Sequence, residues 1–91
     1  MALEVEWDAA KAASNRRKHG VSFEEAATSL EDPRSVTIPD PVHSAVEERY
    51  VLLGVSTSGR LLVVVHTERG DRIRIISARM ATARERAQYE A

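Results

Sequence analysis

Four arginines and two proton-transfer groups lie close together near the end of the chain. The segment 61–80 reads LLVVVHTERGDRIRIISARM, in which arginines alternate with apolar residues at the spacing of a β-strand. Guanidinium groups pair with phosphate oxygens, and imidazole and carboxylate groups transfer protons. We therefore predict a sheet face suited to binding and cleaving a phosphodiester, opposite a core face, that carries Arg69, Arg72, Arg74, Arg79, His66 and Glu68.

A phosphodiester with a neighbouring hydroxyl, as in RNA, can be cleaved without a metal ion by three kinds of group. A base takes the 2′-hydroxyl proton, cations stabilise the negative phosphorane, and an acid protonates the departing 5′-oxygen. His66 is the only histidine in a predicted strand, and an ordinary imidazole pKa of about 6.5 suits either proton role. We assign proton transfer to His66 and Glu68, the scissile phosphate to Arg74 and Arg79, and further phosphate contacts to Arg69, Arg72, Lys11 and Lys18.

This assignment depends on the length of the loop in the last predicted hairpin. A three-residue loop from Arg69 to Asp71 places His66 opposite Arg74 on one face. A two-residue loop reverses the pairing, and the sheet then separates His66 from Arg74. We expect the three-residue loop, because the arginines alternate with isoleucines that belong to the core.

Each candidate also has a purely structural explanation. His66 can be a partly buried strand histidine with a structural hydrogen bond. The arginines can form a solvated face, or can bind carboxylates of a protein partner, since a guanidinium pairs as readily with carboxylate as with phosphate. Lys18 lies in the last turn of a predicted helix, where the helix dipole favours positive charge, and Lys11 lies on the same solvated helix.

Local signals define the helices that precede this region. Asp8 is a good N-cap for a helix that runs to about Lys18, and Gly20 follows where a left-handed stop is expected. The sequence SFEE at 22–25 predicts a capping box for a second helix, which Pro33 ends near Glu31.

The remaining segments predict a sheet and a final helix. Leu3 to Glu6 and the SVTI segment are short strands, and residues 39–47, with His43, form a surface loop. Three longer apolar runs at 48–56, 60–68 and 72–79 form an antiparallel meander, and Thr82 with Glu85 predicts a capping box for a helix ending near Tyr89. The predicted fold class is α+β, a small antiparallel β-sheet with two N-terminal helices and one C-terminal helix packed on it, all on one face.

Length and composition limit the classes of protein to which the chain can belong. The 91 residues fit one domain, 1–91, and the absence of cysteine excludes disulfides and thiol chemistry. No apolar run reaches the length of a membrane span, and the acidic start MALEVEWD is unlike a signal peptide, so we expect a cytoplasmic protein. Three scattered histidines lack metal-ligand spacing and no cofactor motif is present, so we expect neither metal nor cofactor.

The net charge of −1 conceals two basic segments. Residues 7–20 carry four basic residues against one acid, and residues 60–86 carry seven arginines against three acids. The intervening residues 21–50 carry seven acids against two arginines. A nucleic-acid role therefore requires a fold that gathers basic side chains on one surface.

Three motifs in order resemble the BrnT family of bacterial toxins. These are EWDAAKAASNRRKHGVSFEEA at the start, DPxxxxxPD in the middle and HTERGDRIRIISARMATARERAQYE at the end, and together they extend the resemblance from Val5 to Glu90. One departure is Met80, at a position where a basic residue is common in such sequences.

The resemblance implies a RelE-like fold and a metal-independent endoribonuclease that blocks translation. It also implies neutralisation by a BrnA-type antitoxin, in a heterotetramer that contacts operator DNA only through the antitoxin. Two alternatives remain open: a non-catalytic module that binds protein or nucleic acid, and a degenerate toxin that keeps antitoxin binding alone.

Overall fold

The helices and strands follow the predicted order. The computed structural model describes residues 4–40 and 47–91, so Leu3 and the greater part of the predicted loop, with His43, lie outside the described residues. The elements are β1 (Glu4–Glu6), α1 (Ala9–His19), α2 (Phe23–Ser29), β2 (Val36–Pro39), β3 (Arg49–Val55), β4 (Leu61–Arg69), β5 (Arg72–Met80) and α3 (Ala83–Glu90).

Short-range hydrogen bonds set the helix ends. The Asp8 carboxylate accepts from the backbone N–H of Lys11 at 3.0 Å, and Gly20 ends α1 with φ of +70°. At α3, Thr82 and Glu85 form the predicted reciprocal capping box.

The capping box predicted for α2 is only half formed. Ser22 caps the helix by accepting from the backbone N–H of Glu25 at 3.0 Å. The Glu25 carboxylate does not return to Ser22; it binds Arg60 in the β3–β4 connection, where Arg60 Nε donates to it at 2.9 Å. The carboxylate gains a charged partner there, and α2 is thereby fastened to the sheet.

The strands form one mixed sheet in the order β1-β5-β4-β3-β2. The strands β2 to β5 are antiparallel neighbours, and β1 adds a short parallel strand beside β5. The predicted α+β fold, with two N-terminal helices and one C-terminal helix on a small sheet, is confirmed; the parallel edge strand is an addition to it.

The expectation that all helices share one face is wrong. Residues of α1 and α2 pack with the buried cluster that includes Phe23, Leu52 and Val64. Tyr89 of α3 packs against Leu53 and its neighbours, whose side chains alternate to the opposite face. The runs 51–55 and 61–65 are apolar at almost every position, so both faces of these strands require cover.

Asn15 joins α1 to the open edge of β5. Its buried side-chain amide donates to the carbonyl of Ala78 at 2.8 Å and accepts from the N–H of Ala78 at 3.1 Å. It also donates to the carbonyl of Val21 at 3.0 Å. Because β1 pairs only with residues 72–74, the amide takes the place of a missing strand at this point.

Candidate functional site

The last hairpin has a two-residue loop, so the predicted register is wrong. Arg69 pairs with Arg72, and the next pairs along the ladder join Thr67 to Arg74 and His66 to Ile75. Gly70 opens the loop with φ of +63°, a conformation that glycine adopts readily and that two-residue hairpin loops with a leading glycine use. His66 and Arg74 consequently lie on opposite faces of the sheet.

A β-bulge gathers the arginines of β5 on one face. Val65 pairs with Ser77 while His66 pairs with Ile75, so Ile76 is an extra residue in β5. Arg74 and Arg79 are five residues apart, an odd number that would place them on opposite faces of a regular strand. The bulge restores Arg79 to the face of Arg74.

The arginine face is the open part of the sheet surface beside α3. It is formed by Arg49, Arg69, Arg72 and Arg74, and the backbone register puts all four side chains on the same side. Arg69 and Arg72 are the most accessible, with 55% and 58% of their side-chain surface exposed. Arg49 was not among the predicted site residues.

Glutamates neutralise most of this positive charge. Arg74 donates to Glu6 at 3.0 Å, and Arg72 lies 3.4 Å from Glu4 and 3.5 Å from Glu6. Glu47 lies 3.5 Å from both Arg49 and Arg69. Asp40 lies opposite Arg49 at the end of β2, so among the described residues four carboxylates face four arginines and the surface has no net charge.

Glu6 and Glu47 contact the arginines in different ways. The hydrogen bond from Arg74, with a further contribution from Arg72, lowers the pKa of Glu6 and so makes it a weaker base. Glu47 is held by longer ion pairs with Arg49 and Arg69. Glu6 comes next to Arg74 through the pairing of β1 with β5, which no local pattern reports, whereas Glu47 is only two residues from Arg49.

Arg79 is engaged by α3. Its two terminal nitrogens donate to the two oxygens of Glu85, each at 2.8 Å, and this bidentate hydrogen bond lowers the pKa of Glu85 to about 2. The same pair raises the pKa of Arg79. Arg79 thus shares the predicted face, but its guanidinium anchors the first turn of α3.

His66 lies away from the arginine face. Only 5% of its surface is exposed, its ring stacks on Tyr50 with the centroids 5.8 Å apart, and its Nδ1 has no hydrogen-bond partner among the described residues. Burial lowers the pKa of His66, so the neutral ring is favoured. Glu68, two residues along β4, lies on the same side as His66 and is exposed. The predicted joint site of His66, Glu68 and the arginines is therefore wrong.

The two candidate lysines also lie elsewhere. Lys11 and Lys18 are exposed on α1, which covers the opposite face of the sheet. Arg60 donates to the carbonyl of Gly20 at 3.3 Å, so the end of α1 that carries Lys18 lies beside the start of β4. Arg69 is at the other end of that nine-residue strand, about 25 Å away at strand spacing.

An apolar groove adjoins the arginine face. It has a volume of about 300 Å³ and is lined by Val36, Ile38, Val51, Leu53, Val63, Glu85 and Gln88. Its floor is the face of β2, β3 and β4 that α3 leaves uncovered, and α3 forms one wall.

Within residues 4–40 and 47–91, no three histidine or carboxylate side chains come together as ligands for a metal ion. Across the same residues, no helix combines the length and the apolar character needed to cross a bilayer.

Comparison with known proteins gives a consistent result. The structure is similar to the 1.1 Å crystal structure of the Brucella abortus ribonuclease toxin, BrnT, with a TM-score of 0.69. The two sequences are 22% identical, and the match covers 88% of this chain and 97% of that one, so it establishes the shared fold. No curated protein sequence matches the chain. The family model described as ribonuclease toxin, BrnT, of type II toxin-antitoxin system matches residues 7–85, and the chain belongs to that family.

Proposed function

We propose that this chain is an endoribonuclease toxin that cleaves RNA on the arginine face without a metal ion. The observation that carries the proposal is the convergence of four guanidiniums from three strands on one open surface. Guanidiniums at this density bind adjacent phosphates and stabilise the extra negative charge of a phosphorane. Membership of a ribonuclease toxin family supports the same reaction class.

The proposed roles follow from the side chains on that surface. Arg72 and Arg74 bind the scissile phosphate, while Arg49 and Arg69 bind a neighbouring phosphate and hold Glu47. Glu47 accepts the 2′-hydroxyl proton, which makes the 2′-oxygen a nucleophile toward phosphorus. The P–O5′ bond then breaks, and water at this exposed face protonates the departing oxygen. His66 does not contact RNA in this scheme, because the sheet lies between it and the phosphate.

A cleavage assay tests the scheme. The purified chain is incubated with a single-stranded RNA in EDTA, and fragments are followed over time. We expect Arg74→Ala and Glu47→Gln to slow cleavage by about 100-fold each. The control is Arg17→Ala, which removes one exposed positive charge from α1 on the other face and should change the rate by less than about threefold. Full activity of both test variants, or activity that EDTA abolishes, would refute the scheme.

In the cell, we propose, cleavage of transcripts blocks translation, and a BrnA-type antitoxin prevents it. The antitoxin dimerises between two toxin chains to give a heterotetramer, and operator DNA is contacted only by the antitoxin. Induced expression should stop growth and fragment mRNA, and co-expression of the antitoxin should restore both. Mass measurement of the purified complex by light scattering checks the two-to-two composition.

One observation favours a second candidate, a non-catalytic binding module or degenerate toxin. Every guanidinium of the arginine face already has a glutamate partner, and Met80 contributes no charge. Such a nearly neutral surface suits a protein partner. Normal growth with intact transcripts after induction would favour this candidate over the nuclease.

A further inference from the structure

The apolar groove beside the arginine face has no occupant within the described chain. Val36 and Ile38 of β2 are 48% and 57% exposed on its floor. We propose that the groove and the arginine face form one docking surface for an amphipathic segment of the antitoxin, with aliphatic side chains in the groove and carboxylates on the arginines. The proposal rests on the proposed function, since it names the partner of the same site.

The groove is too apolar to be part of an RNA-binding surface. Aliphatic side chains from three strands form its floor, and its one carboxylate, Glu85, is neutralised by Arg79. The phosphates of a polyanion gain nothing from contact with this floor. A protein segment with aliphatic side chains gains from every buried methylene group.

The groove and the arginines are continuous along two strands. Arg49 is two residues before Val51 on β3, so the two side chains are neighbours on one face. On β4 the same face runs from Val63 through Val65 and Thr67 to Arg69. One segment that follows these strands meets aliphatic side chains first and guanidiniums next.

The exposed guanidiniums determine which side chains of a partner can bind the arginine face. Carboxylates balance the arginines within the described residues, but the most exposed guanidiniums, on Arg69 and Arg72, are held only by ion pairs of 3.4–3.5 Å and have further N–H groups to donate. Aspartate or glutamate from the partner can join or replace Glu4 and Glu47 there. Such contacts are complementary in charge, and the same guanidiniums would repel a partner rich in lysine or arginine.

This arrangement explains how an antitoxin can displace RNA. Both ligands use the guanidiniums, but only the antitoxin gains the groove. Binding of RNA through phosphates weakens steeply as salt rises, whereas burial of aliphatic side chains does not. The antitoxin therefore keeps its advantage at physiological ionic strength.

Charge substitution in β2 tests the proposal. The probe is the antitoxin encoded by the open reading frame adjacent to this gene, and its Kd is measured by calorimetry. Ile38→Asp and Val36→Asp place a carboxylate in the groove and should weaken binding by at least about tenfold each. Thr37→Asp is the matched control, because Thr37 is exposed on the same strand but pairs with Leu52 and faces the other side; its Kd should change by less than about threefold.

The outcomes separate the two proposals. The β2 variants should cleave RNA at the rate of the unchanged chain, since neither side chain belongs to the arginine face. If the β2 variants lose antitoxin binding and the unchanged chain does not cleave RNA, the docking surface is supported and the nuclease proposal is rejected. Unchanged affinity in Ile38→Asp, no binding by the adjacent gene product, or a toxin homodimer that Ile38→Asp dissociates would overturn the docking proposal. Thermal melts verify that each variant is folded.

Discussion

His66 and Arg74 occupy adjacent rungs of the β4–β5 ladder and point to opposite sides of the sheet. His66 pairs with Ile75, and Arg74 pairs with Thr67. One reactive surface cannot contain both side chains while the ladder is intact. The two residues should therefore respond differently to substitution.

The first prediction concerns that difference. His66→Phe keeps a planar ring that can stack on Tyr50, and it should leave RNA cleavage within about threefold of the original rate. Arg74→Ala should reduce the rate by about 100-fold. Initial rates on one RNA substrate at neutral pH compare the two, with folding verified by circular dichroism. A large loss of cleavage rate in His66→Phe alone would contradict this prediction and indicate that the imidazole takes part in the reaction.

The second prediction is a pH dependence of stability. Burial lowers the pKa of His66 below its ordinary value of 6.5, so the unfolded chain binds a proton more readily than the folded one. This contribution to stability is present above pH 6.5 and is lost as pH falls below it. The melting temperature should decrease between pH 7 and pH 5, and the decrease should be smaller in His66→Phe. An equal decrease in melting temperature for the unchanged chain and His66→Phe would contradict the prediction.

The third prediction concerns the ion pair between Glu25 and Arg60. The hydrogen bond from Arg60, helped by Ser58 and Ser56, lowers the pKa of Glu25 to about 2. A lowered carboxyl pKa contributes stability above the unfolded value of 4.5, and that stability is lost as pH falls toward 2. Because the Arg60 side chain is 37% exposed, solvent screening reduces the effect.

Urea unfolding of Glu25→Gln measures this contribution. We expect a loss of about 1–2 kcal/mol at pH 7. The difference from the unchanged chain should shrink between pH 4.5 and pH 2.5, a range in which His66 is protonated in the unfolded state of both proteins. A difference that stays constant with pH would mean that the carboxylate charge is not what stabilises the contact.

The fourth prediction concerns the hydrogen bonds between the Asn15 amide and the backbone of Ala78 at the edge of β5. Asn15→Leu leaves the N–H and carbonyl of Ala78 buried without partners, at a cost of about 2–4 kcal/mol in the free energy of unfolding. Ser14→Ala, at the exposed neighbouring position on α1, is the control and should alter stability by less than about 0.5 kcal/mol. Denaturant titration compares them, and equal stabilities would show that water replaces the amide.

Features that depend on nearby residues could be predicted from the sequence. The caps at Asp8, Gly20 and Thr82 involve partners within four residues, so the bounds of α1 and α3 follow from local patterns. The strand order of the meander follows from its short connections. The parallel pairing of β1 with β5 joins residues 68 apart, and no local pattern reports it.

The candidate site depended on features that local patterns leave open. The sequence RGD allows a hairpin loop of two or three residues, and that one residue decides which face His66 occupies. The bulge at Ile76 is a second feature that local patterns leave open, and it places Arg79 on the same face as Arg74. The face covered by α3 could have been inferred, because the uninterrupted apolar runs of β3 and β4 indicate burial on both sides.

The place of β1 at the sheet edge has a consequence for the charge of the arginine face. Among the described residues, three backbone pairs join this strand to β5, and it supplies Glu4 and Glu6, which pair with Arg72 and Arg74. Separation of β1 from β5 would remove these two negative charges from the arginine face. We expect that local opening of this edge strand would expose the guanidiniums of Arg72 and Arg74 to a polyanion, so binding of nucleic acid to this face would be coupled to the opening.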